Sequence, residues 1–63
     1  MKLTYLVKYK NSNGKVREAE IDIAFTNVKD SMKVNILDEI ARRYLIEEMF
    51  RKGNVVSKIR LLK

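Results

Sequence analysis

The sequence predicts an α+β fold of order β-β-α-β, a mainly antiparallel three-stranded sheet with one amphipathic helix packed on one face. Three observations lead there. Lys2 to Lys10 and Lys15 to Phe25 each alternate apolar and polar residues on either side of a turn cluster. Asn35 to Gly53 is the only stretch with a sustained helical period. Val55 to Leu62 returns to alternation. Period two marks a half-buried strand and period 3.6 a surface helix.

In the first strand Leu3, Tyr5, Val7 and Tyr9 point one way, and Lys2, Thr4, Leu6, Lys8 and Lys10 the other. In the second, Ala19, Ile21, Ile23 and Phe25 share a face opposite Glu18, Glu20 and Asp22. Parity fixes how the two meet. A two-residue Asn13-Gly14 turn would set Tyr9 against Glu18, core against solvent, and a one-residue slip flips a whole face. A three-residue loop, Ser12-Asn13-Gly14, with Gly14 in the left-handed region pairs Tyr9 with Arg17, Val7 with Ala19, Tyr5 with Ile21 and Leu3 with Ile23. Lys8 then meets Glu18, and Thr4 meets Asp22.

Residues 26–34 contain turn-forming pairs, Thr26-Asn27 and Asp30-Ser31, and read as a loop, although Met32, Val34 and Ile36 also alternate. In the helix, Asp38/Arg42, Glu39/Arg43, Glu47/Arg51 and Glu48/Lys52 are four i,i+4 pairs with the acid first, the better orientation. Gly53 suits the position just past the C-terminus. Asn35 or Ser31 is the expected N-cap. Ile36, Leu37, Ile40, Ala41, Tyr44 and Leu45 make one apolar half of the wheel. Ile46, Met49 and Phe50 fall largely on the other half, either tucked under a sheet edge or in a subunit interface. In the third strand Val55, Ser57, Ile59 and Leu61 are expected inward, and Val56, Lys58, Arg60 and Leu62 outward. Strand order 2-1-3 is favoured over 1-2-3, because antiparallel neighbours are the commoner kind.

Sixty-three residues make a single domain, 1–63, and such a chain buries only about 60% of its unfolded surface. Without Cys or His, disulfides and Cys/His zinc sites are excluded, leaving good packing or oligomerisation to stabilise it. The first residues lack the apolar run and cleavage site of a signal peptide, and no stretch approaches a membrane span, so a cytoplasmic protein is expected.

The usual general bases and nucleophiles are missing, and two glycines cannot build a phosphate-binding glycine loop. A non-enzymatic protein without cofactor, metal, catalytic residues or small-molecule substrate is the expectation. The net charge is +6, while Asn35 to Lys52 holds four acids and four bases, so the excess lies in the strands and loops. With order 2-1-3, Lys2, Lys8, Lys10, Lys58 and Arg60 share the open sheet face and form the candidate surface for an acidic partner, nucleic acid or an acidic protein. Tyr5 and Tyr9 face the core, so no stacking platform accompanies them. Ile46, Met49 and Phe50 are the candidate homodimer interface. The alternative is a protein-docking or inhibitor module of the phage or mobile-element kind, meeting its target through that apolar helix patch.

Overall fold

Strand β1 (Lys2–Lys10) holds the centre of the sheet, between β2 (Val16–Ala24) and β3 (Val55–Leu61), both antiparallel to it. The helix α1 (Val34–Arg51) completes the order β-β-α-β. The computed structural model describes residues 1–26 and 33–62. The expected loop at 26–34 and the possible cap Ser31 fall largely outside them.

Central position explains why β1 is the most buried strand. Leu3, Tyr5 and Val7 lie in the core with the helix; Tyr5 and Val7 are flanked on both sides by paired strands, and Leu3 by β2. Buried Leu37, Ala41, Leu45 and Met49 meet them, spaced four residues apart along one stripe of α1. Ala41, with its single methyl, lets the helix backbone come close to the sheet. Ile21, Ile23, Phe25, Tyr9, Val56, Ile59 and Leu61 pack around this core, half-buried.

The hairpin register is the one parity demands: Leu3 opposite Ile23, Tyr5 opposite Ile21, Val7 opposite Ala19, Lys8 opposite Glu18 and Tyr9 opposite Arg17. Asn11 organises the turn. Its Oδ1 accepts from the backbone N–H groups of Asn13 and Lys15, both at 3.0 Å, and its carbonyl accepts from Gly14. Gly14 sits at φ 79°, the left-handed region that closes a three-residue loop.

The helix ends as read. Gly53 has φ 84°, its N–H bonds the Phe50 carbonyl at 3.0 Å, and the Asn54 N–H bonds the Met49 carbonyl at 2.8 Å. This is the Schellman pattern, which satisfies carbonyls the last turn leaves free. The start differs from expectation. Lys33 is the N-cap residue, in extended conformation and without a side-chain cap bond. Its carbonyl accepts from both Ile36 and Leu37, so the first turn closes around Asn35 rather than after it.

Three further corrections concern faces. Ile36, Ile40 and Tyr44, expected on the core side, stay about half exposed. A three-stranded sheet is only wide enough to cover the narrow stripe centred on Ala41 and Leu45. Met49, expected on the second apolar face, is buried at the end of that stripe. In β3, a bulge overturns the expected parity upstream of Lys58. Lys8 pairs with Lys58 but Tyr9 with Val56, leaving Ser57 as the extra residue. Val56 therefore turns toward the core, while Val55 and Ser57 are exposed.

Of the four i,i+4 pairs, Asp38–Arg42 at 3.0 Å and Glu39–Arg43 at 3.5 Å form. Arg51 turns instead to Glu48, at 3.8 Å.

Candidate functional site

The open face of the sheet carries three rows of side chains. On β2 the row is acidic: Glu18, Glu20 and Asp22. On β1 it reads Lys2, Thr4, Leu6, Lys8, Lys10. On β3 it is basic, Lys58 and Arg60. Register places Lys8 directly between Glu18 on one side and Lys58 on the other, and Leu6 between Glu20 and Arg60. Leu6, Lys8, Glu18, Lys58 and Arg60 line a shallow groove of about 230 Å³.

The five expected basic residues thus divide. Lys8, Lys58 and Arg60 converge on one groove. Lys10 continues the lane at the hairpin end, opposite Val16 and Val55. Lys2 lies at the far end of β1, roughly 20 Å from Lys8 at about 3.4 Å per residue, and leans to Asp22 at 3.6 Å. Asp22 also accepts a 2.7 Å hydrogen bond from Thr4, so that corner is internally neutralised. Among the described residues no ion pair within 4 Å involves Lys8, Lys10, Lys58 or Arg60.

The bulge borders this groove. Ser57 donates its hydroxyl to the Lys8 carbonyl at 3.1 Å, holding the extra residue against β1 where the two lysines meet. Bulges increase local twist and re-aim neighbouring side chains. Two like charges directly opposite across a ladder destabilise a sheet. The Lys8–Lys58 pairing is thus a local cost retained at the centre of the basic lane.

Sequence reading missed a second polar cluster, between helix and sheet. Tyr5, fully buried, donates its hydroxyl to Asp38 Oδ1 at 2.6 Å. Arg42 Nε donates to both Asp38 oxygens at 3.0 Å, its Nη1 donates to the Ile59 carbonyl at 2.9 Å, and its guanidinium lies 5.7 Å from the Tyr5 ring centroid. Burial, and then the hydrogen bond to the Asp38 carboxylate, push the Tyr5 hydroxyl far above its ordinary range. The Tyr5 hydrogen bond, helped by Arg42, holds Asp38 below the usual carboxylate value against the opposing effect of burial. Every member has a partner, so the cluster fastens α1 to β1 and β3. The signal was present in part: a core tyrosine needs a partner for its hydroxyl, and Asp38 was already paired in the sequence with Arg42.

The remaining surface of α1 is unusually apolar. Ile46 is 51% exposed and Phe50 73%, whereas Met49 is withdrawn beneath them. Of the three expected interface residues, two remain on the outside. A shallow cavity of about 400 Å³ lies between β2 and α1, lined by Ile23, Phe25, Ile40, Ala41 and Tyr44 among others, where the helix leaves β2 uncovered. Among the described residues no three carboxylates gather as a metal site, and no helix is long and apolar enough to cross a membrane. Comparison with known protein families, characterised proteins and solved structures returns no match, so the surfaces themselves carry the functional argument.

Proposed function

We propose that this chain is a small non-enzymatic binding protein that acts as a homodimer and holds an acidic partner, a nucleic-acid strand, along the basic lane of its open sheet face. The observation that carries this reading is Lys8 set directly opposite Lys58, with Arg60 beside them and no acid on the β3 side. A surface serving solubility alone gains nothing from that pairing, whereas a phosphate between the two ammonium groups relieves it. The acidic row of β2 confines a polyanion to the β1–β3 half. That lane, about two strand spacings or ~10 Å across, suits a single strand. Leu6 offers an apolar contact to sugar, and no exposed aromatic of this face offers stacking, so recognition is by backbone charge and independent of sequence. A cytoplasmic location, with its abundance of nucleic acid, belongs to the same reading.

The test is fluorescence anisotropy with a labelled single-stranded oligonucleotide across a salt series. Three cations on single-stranded phosphates give a log-log slope of about −2 through counterion release, so doubling the salt weakens binding roughly fourfold. Lys58→Glu with Arg60→Glu abolishes it. Flat curves, or no binding at low salt, would remove the nucleic-acid ligand.

A second reading, a docking or inhibitor module of the phage or mobile-element kind, draws on the exposure of Ile46 and Phe50. Its target is another protein, and the double charge reversal leaves that capture intact.

A further inference from the structure

The exposed side of α1 has an internal symmetry. The buried stripe is Leu37, Ala41, Leu45 and Met49. On the opposite side lie Ile36, Glu39, Ile40, Arg43, Ile46, Glu47 and Phe50, all exposed. At 100° per residue these seven fall within about 60° of Arg43 on either side. They are also placed evenly along the helix about Arg43: an isoleucine three residues away in each direction, a glutamate four away, and a large apolar residue, Ile36 or Phe50, seven away. Arg43 itself stands near the middle of Val34–Arg51.

A two-fold axis sets each residue of a patch against the one equally far beyond the axis, so the two must suit each other. About Arg43 the apolar positions do: Ile36 answers Phe50, and Ile40 answers Ile46. We infer that the outward face of α1 is a homodimer interface, in which α1 packs antiparallel on α1 of a second copy about an axis at Arg43. In that register Ile36 comes level with Phe50 of the second copy, Ile40 with Ile46, and Glu39 with Glu47 across the seam. Each Arg43, already 3.5 Å from its own Glu39, then also has Glu47 of the second copy within its reach. Two arginines among four glutamates fix orientation and register, as charges flanking a helical seam do.

A second copy suits this row because, about Arg43, apolar residues meet apolar ones and each arginine meets a glutamate of the other copy. The acidic row of β2 argues in the same direction. Joining two copies edge to edge through β2 would oppose Glu18, Glu20 and Asp22 to one another, which a sheet disfavours. Packing through α1 also leaves both open sheet faces outward, so the dimer presents two basic lanes on opposite sides. The inference gives a geometry to the self-association in the proposed function and does not depend on its ligand.

The chain has no cysteine, which makes disulfide trapping clean. Ile36→Cys and Phe50→Cys are each expected to stay monomeric on a denaturing gel, and their mixture to give the 36–50 dimer. Sedimentation equilibrium of the parent should show a dimer at tens of micromolar, and Ile46→Asp and Phe50→Asp should each weaken it roughly thirtyfold or more, because each sets a carboxylate against an isoleucine of the second copy. A parent that stays monomeric at high micromolar loading overturns the inference. So does trapping of 36 with 36 and 50 with 50 in preference to 36 with 50, which would mean a parallel pair. The Lys58→Glu, Arg60→Glu variant must still dimerise and cross-link, so failure of the ligand reading and failure of this one are seen separately.

Discussion

Removing the hydroxyl of Tyr5 tests whether the cluster between helix and sheet stabilises the fold as its geometry implies. Tyr5→Phe keeps the ring, fully buried, and deletes only the 2.6 Å bond to Asp38. A hydrogen bond to a charged group contributes about 1.5–3 kcal/mol. Asp38 keeps both contacts from Arg42, and its side chain is 26% exposed, so water partly replaces the phenol. The loss should therefore lie near the lower end, about 1.5 kcal/mol, or roughly tenfold in the folding equilibrium. Asp38→Asn gives up the charge that Arg42 grips, and the double variant should lose less than the two singles added, because the residues share one network. Urea denaturation followed by circular dichroism measures all three, with an unchanged slope as the sign that only stability moved. A Tyr5→Phe loss below about 0.5 kcal/mol, or strict additivity with Asp38→Asn, would refute the reasoning. The pH dependence follows from the same contacts. Asp38 is held low in the fold, so its contribution is complete above the ordinary carboxylate value and is lost as pH falls through the depressed one. Tyr5 is held high, so its contribution is complete below the ordinary tyrosine value, about 10, and is lost as pH rises beyond it. Asp38→Asn should flatten the acid limb of a stability profile, and Tyr5→Phe the alkaline limb.

Three other outcomes follow from the geometry. Lys58→Glu places an acid opposite Lys8 and should raise stability by about 0.2–1 kcal/mol in urea melts while weakening oligonucleotide binding; a loss in both would mean Lys58 is structural. Gly53→Ala should cost about 1 kcal/mol or more, because φ 84° is strained for any side chain although the nearest atom, Ser12 Cβ, is a comfortable 3.7 Å away; a thermal melt decides it. Lys33→Asp supplies the missing cap at an extended N-cap residue and should stabilise by about 0.5–2 kcal/mol, read from the same melts.

Much of the fold was legible because strand parity leaves few choices. Once Tyr9 could not face Glu18, the loop had to be Ser12 to Gly14, and the register with β2 followed. The order β2-β1-β3 and the Gly53 terminus were equally readable. The side chains that escaped prediction did so because sequence does not show how wide a face is covered. Ile36 and Tyr44 carry the same helical signal as Leu37, but a three-stranded sheet has no surface for them. By the same rule Met49 falls on the second apolar half of the wheel, yet it closes the buried stripe because that stripe drifts around the helix from Leu37. Val55 and Val56 exchanged places through the bulge, and two adjacent valines cannot announce which is inside. For the candidate site, the residue set on the open face was visible, but its division was not. Only register shows Lys8, Lys58 and Arg60 gathered while Lys2 is held at Asp22.

The bulge at Ser57 also sets where this chain can change length. Within a regular stretch of ladder, gaining or losing one residue turns over the faces beyond it unless a bulge takes up the change. Without Ser57, Val56 follows Lys58 directly in the ladder, Tyr9 still faces Val56, and Lys10 still faces Val55, so both faces keep their residues. The loss would be the 3.1 Å hydroxyl bond and the local twist, not the fold. A chain with Ser57 deleted should remain folded in a thermal melt yet hold polyanions less well. β3 thus contains a site where one residue can be gained or lost, altering how two lysines meet while the core stays intact.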